Sequence, residues 1–481
     1  MIRRLLVLLL SVALAFPVRG YDLPDLGDVA SSELSTMAER RIGDQIMSEI
    51  RWRDAAYLDD PEVEEYLNTV GARLVAASDT PSQDFEFFAI NDSTLNAFAL
   101  PGGYIGVHTG LLLATHSESE LASVLGHEIA HVTQRHIAQI VGKQSQSAML
   151  MLASLLVAVL AARSDSQLSE AAIAAGQAGA IQSQLGYSRA FERDADRAGL
   201  EILEKAGFDV RGMPVFFERL QRATRVYENN APVYMRSHPL TTERIADMEN
   251  RASSMRYRQV ADSADYGYAR AKLRANAGTA PEAVKDLESL LATRPGDAAA
   301  EYGLARALMR AGRSADAQQR LDALRHKAEP SPWLESLAAE IRLERKDVAG
   351  AVGILEAAAS RFPRSRSLGY ALADARILGG QAEQAAMGLR RALDARASDG
   401  RLWQLMSRAN AALGKRTAQH RAQAEFYLLR GSLPAAVEQL EIASKAADGD
   451  FYEMSAVDAR LRELKRRLFE ERREQGWQTR R

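Results

Sequence analysis

The 481-residue chain has no cysteine, few aromatic residues and almost no net charge. Without cysteine it can form no disulfide and carry no lipid on a cysteine, so packing alone must hold its fold. Its 61 lysine and arginine residues are balanced by 63 acidic ones, and nucleic acid is therefore not favoured as a partner. Aromatic residues make up only 6%, whereas alanine is abundant, and this composition favours helices in two or three domains.

The apolar runs of the sequence are all short. A membrane-spanning helix needs about 20 apolar residues, and no run reaches that length. The first run, residues 5–16, follows Arg3 and Arg4 and is broken by Pro17. A short positive segment, a short apolar core and small residues after it are typical of a secretory signal peptide. We therefore predict that residues 1–20 are removed and that the mature protein works in a bacterial periplasm; an uncleaved anchor is the alternative.

The second apolar run, residues 148–162, is interrupted only by Ser154 and is again too short to cross a bilayer. Two interpretations stay open for it. It is either a helix buried in the core, or an apolar surface that makes peripheral contact with a membrane or with an unfolded client protein.

Only one region of the chain has the pattern of β-strands. Residues 85–90, 96–100 and 104–108 are predicted as three short strands, the last two joined by a Pro-Gly-Gly turn at 101–103. Most of the remaining sequence has helical periodicity, beginning with residues 31–75. The predicted fold class is therefore mainly α: an α+β domain with a small sheet, followed by an all-α repeat region.

The C-terminal half of the chain repeats with a period of 34 residues. Gly278, Gly312, Gly380 and Gly414 are separated by multiples of 34, and Lys346 fills the remaining slot. This period is typical of tetratricopeptide repeats, which stack into a solenoid that binds other proteins. Alanine follows five positions and leucine nine positions after four of these turns: Ala283, Ala317, Ala351, Ala385, Leu287, Leu321, Leu355 and Leu389.

Three of the eight histidines lie within ten positions, in the segment LGHEIAHVTQRH at 125–136. His127 and His131 are four residues apart, so on a helix both imidazoles project from one face, with Glu128 beside them. Neutral imidazoles bind Zn²⁺ well, and a nearby carboxylate can accept a proton from a water at the metal, which is the chemistry of H-E-x-x-H. His136 lies on the opposite face and is interpreted as structural or as supporting a ligand.

A catalytic zinc needs a third protein ligand, and the best candidates lie in the segment YSRAFERDADRAGLEIL at 187–203. Glu192 and Asp196 are four residues apart and share a helix face. Glu192 could bind the metal while Asp196 accepts a hydrogen bond from a ligating imidazole and orients it. The same spacing also fits an ordinary solvated helix face, because arginines alternate with the acidic residues.

The motifs HEIAH (127–131) and ERDAD (192–196) together resemble the M48 family of zinc metalloproteases. The segment NAFALPGG (96–103) also resembles the segment that precedes the zinc helix in that family. The resemblance implies a gluzincin-like fold that holds one Zn²⁺ per chain. The implied roles are zinc ligand for His127, His131 and Glu192, general base for Glu128, and support of a ligand for Asp196.

The resemblance also implies where the substrate binds and which further histidine acts. Asn96, Ala97 and Phe98 would bind substrate on an edge strand, to which a peptide adds as a β-strand. His238, in the segment MRSHPLTTERI, would lie beside the zinc as a catalytic-site residue. It either helps to stabilise the tetrahedral intermediate or occupies the open zinc position and keeps the enzyme latent; the second role is preferred, and a capping histidine before proline is the third interpretation.

The order of these segments is similar to that of periplasmic members of the family that carry repeats. The predicted domains are a signal peptide at 1–20, an M48 domain at 21–260, a solenoid of four to six repeats at 265–465 and a charged tail at 466–481. The implied activity is that of a periplasmic zinc endopeptidase that degrades misassembled outer-membrane β-barrel proteins and supports their assembly. The implied partners are unfolded or misassembled β-barrel proteins and the barrel assembly machinery.

Two other functions stay open on the sequence alone. In the first, the chain is a chaperone or assembly scaffold whose solenoid binds partners, and proteolysis is secondary. In the second, the zinc is structural and no peptide is cleaved. The three functions share the same predicted zinc ligands and differ in the role of Glu128.

Overall fold

The computed structural model describes residues 35–141, 189–225, 233–446 and 448–478. The predicted signal peptide and the apolar run at 148–162 lie outside the described residues. Among the described helices, none combines the length and the apolar character needed to span a membrane.

Nine helices and three strands form the N-terminal part of the described chain. The predicted helical stretch at 31–75 contains two of these helices, because Asp60 caps the second helix and Pro61 occupies its first position. In order, the elements are α1 Thr36–Arg53, α2 Pro61–Val75, β1 Glu86–Ile90, β2 Ala97–Leu100, β3 Tyr104–His108, α3 Thr109–Ala114, α4 Glu118–Thr133, α5 His136–Val141, α6 Arg189–Ala206, α7 Gly212–Arg225, α8 Val233–Ser237 and α9 Thr242–Ser254.

The three strands form one small sheet in the order β1-β3-β2. β1 runs parallel to β3, whereas β2 pairs antiparallel with β3 and places Phe98 opposite Gly106. Gly102 and Gly103 form the turn between β2 and β3 with φ angles of +80° and +88°, a left-handed conformation that glycine adopts readily. β2 is therefore an edge strand of this sheet, as the sequence resemblance implied.

Twelve helices of the described chain follow the sheet domain and confirm the predicted mainly α fold, in which an all-α solenoid follows an α+β part. The last helix runs across the boundary expected between solenoid and charged tail, and that boundary stays a prediction. The helices are α10 Ala264–Asn276, α11 Ala280–Thr293, α12 Ala298–Arg310, α13 Ser314–Arg325, α14 Pro332–Glu344, α15 Val348–Arg361, α16 Arg366–Leu378, α17 Ala382–Ala395, α18 Gly400–Ala412, α19 Arg416–Leu429, α20 Leu433–Ala446 and α21 Phe451–Gln478.

The 34-residue period coincides with turns between the paired helices. Gly278, Gly312, Gly380 and Gly414 have φ angles between +55° and +75°, and Lys346, which takes the place of glycine in the remaining slot, has a φ of +65°. A lysine is strained in this left-handed region, because its Cβ crowds its own backbone. The repeated alanines and leucines are buried between helices, as their phase predicts: Ala283, Ala317, Ala351, Ala385, Leu287, Leu321, Leu355 and Leu389.

The beginning of the solenoid shares its hydrophobic core with the N-terminal part. One continuous cluster of buried side chains contains Leu67 of α2, Leu125 of α4 and Leu200 of α6 together with Tyr266 and Leu273 of α10. Because apolar surface from both parts is buried in the same cluster, the first solenoid helix is fixed against the sheet domain.

A group of paired charges is buried at the same junction. The ammonium of Lys272 in α10 donates to Asp60, at 2.8 Å, and to Glu62 of α2. Burial lowers the pKa of Lys272, but the negative charges of Glu62 and Asp60 outweigh burial and raise it above its usual range. We call Asp60, Glu62 and Lys272 the junction cluster; its lysine is matched by two carboxylates.

Helix α1 connects a distant turn of the solenoid to the sheet. Towards its C-terminal end, the Ser48 hydroxyl and the Trp52 indole each donate to the carbonyl of Arg430 at 2.7 Å. Towards its N-terminal end, Arg40 donates to the carbonyl of Gly102, in the turn that follows β2, at 2.9 Å. The solenoid is therefore attached to the sheet domain at several places along its length, since Glu65 of α2 also accepts the backbone N–H groups of Arg366 and Ser367 at 2.9 Å.

Candidate active site

Helix α4 carries the histidine motif through the centre of the sheet domain. Ser117 caps its N-terminus by accepting a backbone N–H bond, as is usual for serine at this position. Gly126 of α4 lies against Gly199 of α6, and a Cβ at Gly199 would lie only 3.2 Å from the backbone nitrogen of His127. This close approach of two helices brings the carboxylates of α6 to the histidines of α4.

Four side chains converge between α4, α6 and the end of α8. The Nε2 atoms of His127 and His131 lie 3.0 Å apart, and each lies 3.5 Å from a carboxylate oxygen of Glu192. The Nδ1 atom of His238 lies 3.0 Å from Glu192 Oε1 and 3.4 Å from His127 Nε2. No member of this metal cluster (His127, His131, Glu192 and His238) is more than 2% exposed.

The chemistry of the metal cluster fits a divalent ion. Imidazole nitrogens and a carboxylate oxygen are the ligands that catalytic zinc takes in proteins. Ligand atoms about 2.0–2.1 Å from a tetrahedral ion lie roughly 3.4 Å from one another. The 3.0–3.5 Å separations between Glu192, His127 and His131 are close to that value. One ion can therefore contact all three predicted ligands and His238.

Burial and neighbouring charges affect the two motif histidines in opposite ways. Burial lowers the pKa of His127, but the adjacent carboxylates of Asp196 and Glu192 outweigh it and raise the pKa to about 9. Burial and the charge on His127 place the pKa of His131 well below its usual range. Without a metal the carboxylates therefore retain a proton on His127, and a cation that binds there must displace it.

Glu128 lies beside the metal cluster and is fully buried. Neither of its carboxylate oxygens accepts a hydrogen bond from the described residues, and His238 Nε2 lies 3.6 Å from Oε1. Burial raises the pKa of Glu128, and the positive charges of His238 and His127 partly offset that rise. A carboxylate with a raised pKa and two available acceptor atoms is suited to take a proton from water.

Asp196 and Arg244 contact the proposed ligands His127 and Glu192 outside the metal cluster. Asp196 Oδ1 lies 3.0 Å from His127 Nδ1, the ring nitrogen opposite the one that faces the cluster. Arg244 of α9 donates to both oxygens of Asp196, at 2.7 and 2.8 Å, and its Nη1 lies 2.8 Å from Glu192 Oε2. The arginine therefore fixes both carboxylates in their charged form. Sequence reasoning missed it, although it lies six residues after His238.

His136 lies outside the metal cluster, on the other side of His131. Its Nδ1 lies 2.9 Å from His131 Nδ1, and its ring stacks on Phe191 with the centroids 4.4 Å apart. The contact agrees with the predicted role of supporting a ligand, because it can orient the imidazole of His131.

The predicted substrate-binding residues lie at the start of β2. Asn96 directs its Nδ2 towards His108 Nε2 at 3.3 Å, and its Oδ1 accepts no hydrogen bond from the described residues. The Ala97 side chain is fully buried, so a peptide could use only its backbone. Phe98 is partly exposed and packs edge-on against Phe88. Since β2 packs against α4, the edge strand lies next to the helix that carries Glu128.

Known proteins share this combination of domains. Residues 61–252 match peptidase family M48, and residues 275–341 match the tetratricopeptide repeat. The chain is 34% identical to the β-barrel assembly-enhancing protease of Escherichia coli strain K12, over 95% of this chain and 93% of that protein. The protein of the same name from Yersinia pestis is 33% identical over 92% of each chain. The chain belongs to this family of M48 proteases.

As a member of the β-barrel assembly-enhancing protease family, the chain is a zinc metalloendopeptidase. A more distant relative, the mitochondrial metalloendopeptidase OMA1 of Arabidopsis thaliana, is 30% identical over 40% of this chain and 38% of its own length. The predicted metal cofactor is confirmed by the family and by a cluster able to hold one ion. The roles of the individual residues stay predictions.

Proposed function

We propose that the chain is a periplasmic zinc endopeptidase that degrades misassembled outer-membrane β-barrel proteins and supports the assembly of others. The observation that carries the proposal is the buried group of His127, His131 and Glu192 with Glu128 beside it. Relatives named β-barrel assembly-enhancing proteases, similar over nearly the whole chain, support this class of client. The pattern of residues 1–20 supports export to the periplasm.

Hydrolysis would depend on three ligands and one base. His127, His131 and Glu192 would hold the zinc, which when bound lowers the pKa of a water molecule and polarises the scissile carbonyl. Glu128 would accept the proton of the attacking water, because its oxygens are available and burial raises its pKa. It would then deliver that proton to the leaving amine, while Asp196 keeps the His127 ring oriented.

A peptide would bind by its backbone along the edge of β2, at Asn96, Ala97 and Phe98. Strand addition recognises the main chain and places few demands on side chains. This mode suits a protease whose clients are β-strand proteins that have failed to assemble, because their unpaired strands expose the same backbone groups.

His238 would act as the regulatory group of the site. Its Nδ1 lies 3.0 Å from Glu192 and 3.4 Å from His127 Nε2, within the set of atoms that can contact one ion. A fourth protein ligand fills the position that a catalytic zinc keeps open for water or substrate. Withdrawal of His238 would therefore open the site, and stabilisation of the tetrahedral intermediate is its second candidate role.

The solenoid would dock the clients and the barrel assembly machinery beside the protease. Tetratricopeptide helices present an extended concave surface, which is the usual binding surface of such arrays. If docking were the main contribution, the chain would act chiefly as an assembly scaffold, and this is the second candidate function.

The variant Glu128→Gln distinguishes the protease function from the scaffold function. The variant keeps every proposed zinc ligand, so we expect one zinc per purified chain, as in the wild type. Degradation of a misassembled β-barrel client should fall by about 10²–10⁴-fold, because the general base is lost. Full support of barrel assembly by this variant in cells would favour the scaffold. If the zinc-loaded wild type cleaved neither casein nor an unfolded barrel protein, this result would contradict the proposed protease function.

A further inference from the structure

Tyr234 is a buried residue of the site that no proposed step uses. Its side chain is fully buried, and its hydroxyl has no hydrogen-bond partner among the described residues. Buried tyrosine hydroxyls normally find a partner, because removing the group from water without one is unfavourable. Among the described tyrosines, Tyr302 in the solenoid shares this property.

Tyr234 lies between the metal cluster and the candidate substrate strand. Its ring stacks on that of His238, with the centroids 4.7 Å apart and the planes at 28°. It also packs against Phe217, whose ring contacts the imidazole of His127. Its backbone N–H donates at 3.1 Å to the carbonyl of Leu95, which immediately precedes the predicted substrate-binding residues.

The charged groups that act on this hydroxyl belong to the active site. Burial raises the pKa of Tyr234 well above its usual range, and the charges of Glu128 and Glu192 raise it further. The phenol is therefore an O–H donor without an acceptor in the described residues. Cleavage of a peptide bond creates an acceptor, because the carbonyl oxygen becomes an oxyanion in the tetrahedral intermediate.

We infer that Tyr234 is a catalytic residue whose hydroxyl donates a hydrogen bond to the oxyanion of the tetrahedral intermediate. The inference rests on the proposed zinc site with Glu128 as its base. The Tyr234 ring stacks on His238, whose Nε2 lies 3.6 Å from Glu128 Oε1, so a peptide that reaches the base also comes close to the tyrosine. A donor left unpaired in the resting protein and paired in the transition state raises kcat more than it raises substrate affinity.

Tyr234→Phe tests the inference, because it keeps the ring against His238 and Phe217 and removes only the hydroxyl. On zinc-loaded protein and a fluorogenic peptide, we expect kcat to fall by about 100-fold with KM little changed. The Kd of a phosphoramidate peptide, which mimics the intermediate, should rise by a similar factor. In zinc-free protein the Tm of the variant should equal or exceed that of the wild type, since an unpaired hydroxyl has been removed.

Two further variants show whether the hydroxyl itself is responsible. Tyr302→Phe removes the other unpaired hydroxyl, far along the chain in the solenoid, and should leave kcat unchanged. Tyr234→Leu also removes the ring, and it should lose at least as much activity as Tyr234→Phe. Activity lost only in Tyr234→Leu would overturn the inference, because the ring would then act solely by positioning His238.

The remaining outcomes also decide the question. Wild-type kcat in Tyr234→Phe, or a reduced zinc content that accounts for its lost activity, would overturn the inference. Glu128→Gln is measured in parallel, so that a failure of the proposed function can be distinguished from a failure of the inference about Tyr234. If the wild type holds no zinc, or cleaves no better than Glu128→Gln, the proposed function has failed; if only Tyr234→Phe behaves as the wild type, the inference alone has failed.

Discussion

The junction cluster and the metal cluster, both buried in the described part of the chain, differ in how their charges are matched. In the junction cluster, the ammonium of Lys272 donates to both Asp60 and Glu62. In the metal cluster, imidazole nitrogens face one another at 3.0–3.4 Å, and the adjacent Glu128 accepts no hydrogen bond from the described residues. In the first cluster the buried cation has two anionic partners, whereas the second holds imidazole nitrogens that face one another and requires a cation between them.

The contrast shows that burial of charge alone does not mark a functional site. A matched cluster satisfies its own groups and can be purely structural, because each desolvated charge has a partner. An unmatched cluster persists in a fold when binding or catalysis depends on it. The crowded imidazole nitrogens of the metal cluster and the two unsatisfied oxygens of Glu128 distinguish the site from the junction, where only Glu62 Oε1 has no hydrogen-bond partner among the described residues.

The largest difference is expected when one glutamate is removed from each cluster. Glu192→Ala deletes a proposed ligand, so zinc affinity should fall by more than about 100-fold and peptidase activity should be lost. Glu62→Ala deletes a partner of Lys272 and should leave one zinc bound per chain. Elemental analysis after dialysis measures both variants, and equal loss of zinc from the two would erase the proposed distinction.

A smaller effect is expected from removing the cation of the junction cluster. Lys272→Met leaves Asp60 and Glu62 buried without their positive partner, and should lower the free energy of unfolding by about 3–5 kcal/mol. Urea denaturation of zinc-loaded protein measures the change. Adding Glu62→Met should recover part of the stability, because an apolar pair replaces an unpaired charge; a double variant less stable than Lys272→Met would argue against a matched pair.

The smallest effect is a pH dependence that arises at His127 of the metal cluster. In metal-free protein the pKa of His127 is raised from 6.5 to about 9. A group with a higher pKa in the folded state stabilises the fold while protonated, so this contribution is complete below pH 6.5 and is lost as the pH rises through 9. The pKa of Lys272 is raised from 10.5, so this lysine of the junction cluster keeps its proton in this window.

We therefore expect the Tm of chelator-treated protein to fall between pH 6.5 and 9. His127→Gln should flatten this dependence, since no proton is retained at that position. Differential scanning calorimetry across the range measures both proteins. An unchanged slope in the variant would show that another group titrates there.

The residues of the proposed metal site could be picked out in the sequence because their spacing encodes a shared helix face. His127 and His131, and separately Glu192 and Asp196, are four residues apart and do lie on common faces. That the two pairs meet depends on the contact of Gly126 with Gly199, which no local pattern indicates. The association of the two motifs came from resemblance to a family.

Other parts of the site carry no periodic signal and were missed. Arg244 reaches Asp196 across 48 residues of sequence, and an arginine in a charged segment looks like an ordinary surface residue. Tyr234 is a single aromatic residue, and only its unpaired hydroxyl in the folded chain distinguishes it. Lys272 was likewise not predicted to be buried, since lysines in repeat helices are usually solvated.

The several attachments of the solenoid to the sheet domain have a mechanical consequence. A repeat array that is attached at one end only can bend and move its other end, because each repeat contacts only its neighbours. Here α10 is fixed by the shared core, and the turn at Arg430 is fastened to α1 by Ser48 and Trp52. Between them, Glu65 of α2 accepts the backbone N–H groups of Arg366 and Ser367 at 2.9 Å. The curvature of the array is thus set by several anchors along its length, and a partner that bends the array must first release at least one of them.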